Sequence, residues 1–146
     1  MKYANKETFE KANMFGTGVP NDNYAQYFTG ESFLNFLVTP GASPLFLANV
    51  TFEPGCRNHW HIHHAATGGG QILICTAGEG WYQQEGSDPV SLNEGSVVVI
   101  PMGAKHWHGA KAESWFSHIS VEVPGTETRN EWCEPVDDTY YNALEG

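Results

Sequence analysis

Apolar and polar positions alternate in short runs along most of this chain, and glycine, proline, serine and aspartate cut the runs at close intervals. Leu45 to Phe52, Gln71 to Ala77, Trp81 to Gln84, Val90 to Leu92, Val97 to Ile100 and Ser114 to Val123 each have strand length and favour bulky or β-branched residues. Turn signals separate them at Thr39 to Pro44, Glu53-Pro54-Gly55, Gly78-Glu79-Gly80 and Pro101-Met102-Gly103-Ala104. Upstream, NYAQYFTGESFLNFLVT (Asn23 to Thr39) has two aromatic and aliphatic segments around Thr29-Gly30-Glu31 and reads as a hairpin. The N-terminal arm has a weak pattern in which Phe9, Met14 and Phe15 are candidate anchors, and Gly16, Gly18 and Pro20 end any helix there. From Pro124 the chain turns polar, and PVDDTYYNALEG is expected to finish in a short helix with Asp137 or Asp138 as its N-cap. Many short strands without βαβ alternation predict an all-β fold of packed antiparallel sheets. The expected organisation is one domain over 1–146: an arm and hairpin to about residue 40, a core over 45–123 and a tail over 124–146.

Composition narrows the partners. Seventeen acidic against seven basic residues give a net charge of -10, which repels phosphate backbones and anionic membrane surfaces. Nucleic acid and membrane are therefore not expected partners. No apolar run approaches the roughly 20 residues that span a bilayer. The first fifteen residues lack the apolar core of a signal peptide, so a soluble, cytoplasmic protein is expected. Cys56, Cys75 and Cys133 show no CxxC spacing and suit reduced thiols, with Cys75 a small core residue. Trp60, Trp81, Trp107 and Trp115 read as core or interface anchors. A homodimer is expected through the aromatic hairpin, with Tyr27, Phe28, Phe33, Phe36 and Leu37.

The candidate chemistry lies between Gly55 and Gly78. His59, His61 and His63 alternate with Asn58, Trp60 and Ile62, so a strand there turns all three imidazoles to one face. Neutral imidazole offers a lone pair near neutral pH and is the commonest metal ligand. A second cluster, Lys105-His106-Trp107-His108, follows the turn at Pro101. His61, His63 and His106 are read as metal ligands. Gln71 is either a further ligand or an amide that orients a substrate, and His64 is either an exposed loop residue or an alternative ligand. His59 and His108 share strand parity with the ligands and are candidate bases or orienting groups beside the metal. His118, on the last long strand, is a candidate base or a buried, hydrogen-bonded histidine.

These motifs resemble the cupins. Gly55, five residues, His61-Ile62-His63, seven residues, Gln71, six residues and Gly78 follow the family's first motif, with Gln71 in the place of glutamate and a longer loop before it. Gly95, five residues, Pro101-Met102-Gly103, two residues and His106 follow the second, with Ala110 in the place of asparagine. The resemblance implies a jelly-roll β-barrel of two packed antiparallel sheets with a metal in its mouth. FEPGCRNHWHIH, TAGEGWYQQEG and KHWHGA are similar to small bacterial cupins that bind manganese through three histidines and a glutamine. Some of these are hydroxynitrile lyases, and others accompany carboxymuconolactone-decarboxylase domains. One divalent transition metal per chain is implied, manganese first, with iron, nickel, cobalt or zinc also suited. Neutral ligands leave the ion its full charge, so the expected function is a lyase or isomerase that uses a Lewis-acidic metal on a small oxygenated molecule. The alternatives are a metal-dependent oxygenase and a non-catalytic small-ligand sensor. Metal affinity is expected to fall as pH drops through the ordinary histidine pKa, about 6.5.

Overall fold

The computed structural model describes residues 1–145. In chain order its elements are helix α1 (Lys6–Ala12), β1 (Val19–Pro20), a 3-10 helix (Asp22–Tyr27), β2 (Phe28–Thr29), β3 (Ser32–Val38), β4 (Leu47–Phe52), β5 (Arg57–Asn58) and β6 (His61–His64). There follow β7 (Thr67–Gly68), β8 (Gln71–Gly78), β9 (Gly80–Gln84), β10 (Val90–Leu92), β11 (Val97–Ile100) and β12 (His106–Ala110). β13 (Phe116–Glu122), β14 (Gly125–Thr126), β15 (Arg129–Trp132) and helix α2 (Asp138–Asn142) complete the order.

Two antiparallel sheets pack on each other, as a jelly roll requires. One runs β1-β3-β4-β13-β8-β11; the other runs β10-β9-β12-β5-β2, with β6 bridging β12 and β15. The small-residue loop before Gln71 is held by a ribbon of β7 and β14. Asn23 to Thr39 is not a hairpin. β2 pairs with β5 in one sheet, while β3 pairs with β1 and β4 in the other. Alternation shows that a segment is a strand but not which strand it will pair with, and here the chain crosses between sheets at Gly30.

One end of the sandwich is filled. Val50, Phe52, Leu73, Cys75 and Phe116 from the first sheet meet Tyr82 and Ala110 from the second, with Leu92 and Ile100 completing the cluster. Each large apolar side chain buried this way contributes roughly 1.5–3 kcal/mol. Burial pushes the Cys75 thiol up to about 12, which suits a packing residue and not a nucleophile. The arm that looked weakly patterned is helical: Asn5 caps α1, its side-chain oxygen accepting the Thr8 N–H at 3.0 Å. Phe9 docks the arm among Phe33, Ala77 and Trp115, while Met14 and Phe15 remain exposed.

The expected C-terminal helix is α2, with Asp137 accepting the Tyr140 N–H at 2.9 Å. Trp81 and Trp107 pack beneath it against Val136 and Tyr141, with Trp60 at the margin. The Tyr141 hydroxyl donates to the Ala110 carbonyl at 2.6 Å, and the Arg57 guanidinium lies 4.1 Å from the Tyr141 ring centre. Among the described residues, no helix is long and apolar enough to cross a membrane.

Candidate metal centre

A break in one strand decides which histidines meet. β5 ends at Asn58, and the chain passes through His59 and Trp60 before β6 opens at His61. The His59 N–H donates to the Tyr27 carbonyl at 2.8 Å and the Trp60 N–H to the Glu134 carbonyl at 3.0 Å. Strand parity is lost across these two residues. Asn58, and not His59, lines the cavity with His61 and His63, and the half-buried His59 lies outside that lining. His64 borders the cavity too, but it alternates with His63 along β6 and its ring pairs with Glu131 at 2.8 Å.

His61 and His63 alternate on β6, and His106 opens β12 directly opposite His61. The turn before His106 is fixed by Gly103, whose φ of +84° is the left-handed region and whose N–H donates to the His63 carbonyl at 2.8 Å. Ring centres stand 4.2 Å apart for His61 and His106, 5.1 Å for His61 and His63, and 5.2 Å for His63 and His106. One nitrogen from each of the three lies within 4.8 Å of the other two, a group that can hold a metal ion. The Nδ1 atoms of His61 and His106 donate to the carbonyls of His59 at 2.8 Å and Ala104 at 2.9 Å. A carbonyl only accepts, so both protons sit on Nδ1 and both Nε2 lone pairs are free. His106 Nε2 is buried without a hydrogen-bond partner among the described residues, which ordinarily costs about 1–3 kcal/mol.

Gln71 approaches from the opposite sheet. Its Oε1 is 2.8 Å from His63 Nε2, and its amide nitrogen donates to Ser120 Oγ at 2.7 Å. Gly70 permits this entry, because a Cβ there would lie 2.5 Å from the Ile100 carbonyl oxygen. His63 Nδ1 meets a second oxygen, Asn130 Oδ1, at 2.7 Å. A neutral imidazole has one N–H for these two acceptors. A cation shared by His63 Nε2 and Gln71 Oε1 removes the mismatch, so the donor set fits a divalent metal.

Beside this group, His108 from β12 and His118 from β13 face each other across the two sheets with ring centres 4.8 Å apart. Asn58 holds His108 at both ends: its Oδ1 accepts the His108 N–H at 2.9 Å and its amide stands 3.1 Å from Nε2. Among the described residues, neither ring nitrogen of His118 has a well-formed hydrogen bond, the Ile119 backbone offering only a weak polar contact. Burial lowers His106 and His118 to about 4. It also holds His61 and His108 well below the ordinary range, with neighbouring imidazoles adding to the effect. The surrounding cavity has a volume of about 650 Å³, and Phe28, Leu34, Phe46 and Val50 form an apolar wall of it, with Val50 next to His118 across the β4–β13 pair.

These depressed values set a pH window. The unfolded chain binds protons at the ordinary histidine value of 6.5, the folded chain only near 4, so the stability they contribute is present above 6.5 and lost as pH falls toward 4. The loss is at most roughly 3 kcal/mol for each of His106 and His118. The melting temperature of metal-free protein is expected to be flat from pH 8 to 7 and to fall steeply below 6; a flat profile down to pH 4 would contradict the burial. For His61 and His106, protons would compete with a bound metal only below the window expected from an unperturbed imidazole.

Several lining residues carried no local signal. Asn58 takes the place that parity assigned to His59, and Trp132, stacked 4.6 Å from the His61 ring, lies beyond both histidine motifs with Asn130. No family model matches the chain. It is 38% identical over 118 residues to the (R)-mandelonitrile lyase of Granulicella tundricola, which covers 80% of this chain and 87% of that protein. It is also 37% identical to a cupin-like protein of Thermotoga maritima of solved structure, with a TM-score of 0.77 over 91% of this chain and 98% of that one. The chain belongs to the cupin superfamily. A DMSP lyase of Ruegeria pomeroyi shares the cupin fold at 22% identity, with a TM-score of 0.59 over 80% of this chain and 56% of that one.

Proposed function

We propose that this cupin is a divalent-metal-dependent lyase that splits small α-hydroxynitriles into a carbonyl compound and hydrogen cyanide. The observation that carries this reading is the convergence of His61, His63, His106 and Gln71 beside His118, a neutral imidazole without a well-formed partner. The likeness to a mandelonitrile lyase supports it. His61, His63 and His106 would hold the ion through nitrogen and Gln71 through Oε1, with manganese the proposed metal and iron, nickel, cobalt or zinc compatible with the same donors. When bound, such an ion supplies a Lewis acid that stabilises negative charge on a substrate oxygen.

The chain's own residues supply the rest. A ring nitrogen of His118 takes the hydroxyl proton, and the O–H electron pair becomes the new carbonyl π bond. The carbon–carbon pair leaves with cyanide, to which His118 returns the proton. A pKa near 4 makes the resting imidazole a weak base, and developing negative charge on the substrate raises it toward the working pH. Asn58 holds His108 in place, and the apolar wall of Phe28, Leu34, Phe46 and Val50 seats the substituent and excludes water.

Metal-loaded protein is expected to release cyanide from mandelonitrile or an aliphatic hydroxynitrile without dioxygen. His118→Ala should keep its metal and lose about 10²- to 10⁴-fold in kcat. Full metal occupancy with no cyanide from any hydroxynitrile would sink the lyase reading. Turnover that requires dioxygen would support the oxidative alternative, and binding without turnover the sensor.

The proposed homodimer rests on a different surface from the aromatic segment. Tyr27 stacks on Trp132 at 4.4 Å and Phe33 packs on Trp115, so both are engaged within the chain. On the outer face of β11, β8 and β13, two aliphatic rows lie in register, Val97-Ile74-Ile119 and Val99-Ile72-Val121. Val97 and Val99 are 62% and 70% exposed on an edge strand. In a chain of net charge -10, this uncharged grid is where a second copy can approach without repulsion. Light scattering should show a dimer that Val97→Lys with Val99→Lys converts to monomer; a dimer that survives both changes lies elsewhere. The three free thiols accord with a reducing cytoplasm.

A further inference from the structure

Strand β15 lies outside both histidine motifs, yet it runs antiparallel to β6 with Asn130 opposite His63 and Trp132 opposite His61. Opposed residues of an antiparallel pair project to the same face. We infer that β15 is the element that orients the metal-binding histidines, Asn130 by fixing His63 and Trp132 by fixing His61. This rests on the reading of His61, His63 and His106 as ligands.

The three imidazoles are not held alike. His61 and His106 donate their Nδ1 protons to backbone carbonyls two residues away, a support supplied by the chain just before each strand. His63 has no such carbonyl. Its Nδ1 meets the side-chain oxygen of Asn130 at 2.7 Å, from a residue 67 positions along the chain. The Glu122 carboxylate is 3.8 Å from the same nitrogen, beyond hydrogen-bond range. A neutral amide therefore takes the Nδ1 proton and leaves the Nε2 lone pair for the centre. Outer partners of this kind commonly tune metal affinity by about 10- to 100-fold.

Trp132 acts on the ring face of His61. The two rings stack with centres 4.6 Å apart and 28° between planes, and Tyr27 stacks on Trp132 at 4.4 Å and 4°. A rotation of the imidazole away from the centre breaks this stack. On the opposite face of the strand pair, Glu131 grips His64 at 2.8 Å, so β15 holds β6 from both sides. Both residues are positioning groups and touch no reacting atom.

The test is equilibrium titration of full-length, metal-free protein with Co²⁺, read by binding isotherm and visible absorption, beside melting curves without metal. Asn130→Ala is expected to bind about 10- to 100-fold more weakly, while Asn130→Asp, which still accepts the proton, binds at least as tightly as wild type. Glu122→Gln should leave Co²⁺ affinity unchanged. Trp132→Ala should weaken binding about tenfold with an altered Co²⁺ spectrum, and Trp132→Phe should restore both. Asn130 is exposed, so its variants should keep the wild-type melting temperature without metal. Unchanged affinity in Asn130→Ala and Trp132→Ala would overturn the inference alone if His106→Ala still abolished binding. Weakening by Glu122→Gln in place of Asn130→Ala would transfer the role to the carboxylate and overturn the part given to Asn130. A wild-type chain that binds no Co²⁺ would remove the metal reading itself, and this inference with it.

Discussion

His106→Ala is expected to abolish metal binding, the largest single effect of any substitution in this chain. His106 is fully buried, opens β12 opposite His61, and brings to the other two imidazoles an Nε2 that has no hydrogen-bond partner among the described residues. Its loss removes one of three nitrogen donors outright, so affinity should fall by more than the roughly 100-fold typical when only an outer partner is lost. Metal that binds the folded state alone stabilises it by about 2.7 kcal/mol at a hundredfold excess over Kd. Added Mn²⁺ should therefore raise the melting temperature of wild type and leave that of His106→Ala in place. In the absence of metal the difference should be smaller than for an ordinary buried residue, because the change also deletes an acceptor with no partner. Metal analysis beside melting curves with and without Mn²⁺ checks this, and full occupancy in the variant would end the three-histidine reading.

Gln71→Glu is expected to separate metal binding from catalysis. With Oε1 2.8 Å from His63 Nε2 and the amide nitrogen on Ser120, a glutamate of nearly the same shape can turn one oxygen to the centre and accept from the Ser120 hydroxyl with the other. A carboxylate attracts a divalent cation more strongly than a neutral dipole does, so affinity should hold or rise. The added charge also cancels part of the ion's field and repels a substrate oxygen that becomes negative. The rate should fall by about 10- to 1000-fold, the scale of a lost electrostatic contribution of a few kcal/mol. Without metal the carboxyl is buried opposite Glu122 on the neighbouring strand, and the fold should be less stable at neutral pH. Unchanged metal affinity with a lowered melting point would instead remove Gln71 from the ligand set and leave three histidines.

The residues that were legible in advance are those whose signal is local. Val90 to Leu92 and Val97 to Ile100 are strands over the expected residues, and Asp137 caps the expected final helix. The His61-Ile62-His63 spacing and the glycine turn before His106 are likewise written in adjacent residues, because a period of two and a positive φ are properties of a few consecutive peptide units. Local reading failed where a partner had to come from far along the chain. Nothing near Gly30 shows that β2 and β3 enter different sheets, and nothing near His59 shows that two residues of irregular backbone will exchange its place with Asn58. The sequence by itself determined most strands of the core, though not the short β7, β14 and β15, together with the paired histidine motifs and the acidic charge of the chain. Only the tertiary structure decided that Gln71 meets the histidines from the opposite sheet and that β15 brings Asn130 and Trp132 to His63 and His61. The physical reason is that alternation sets the direction of a side chain along its own strand, whereas its neighbour across the sandwich is set by how the whole chain closes its two sheets around one core.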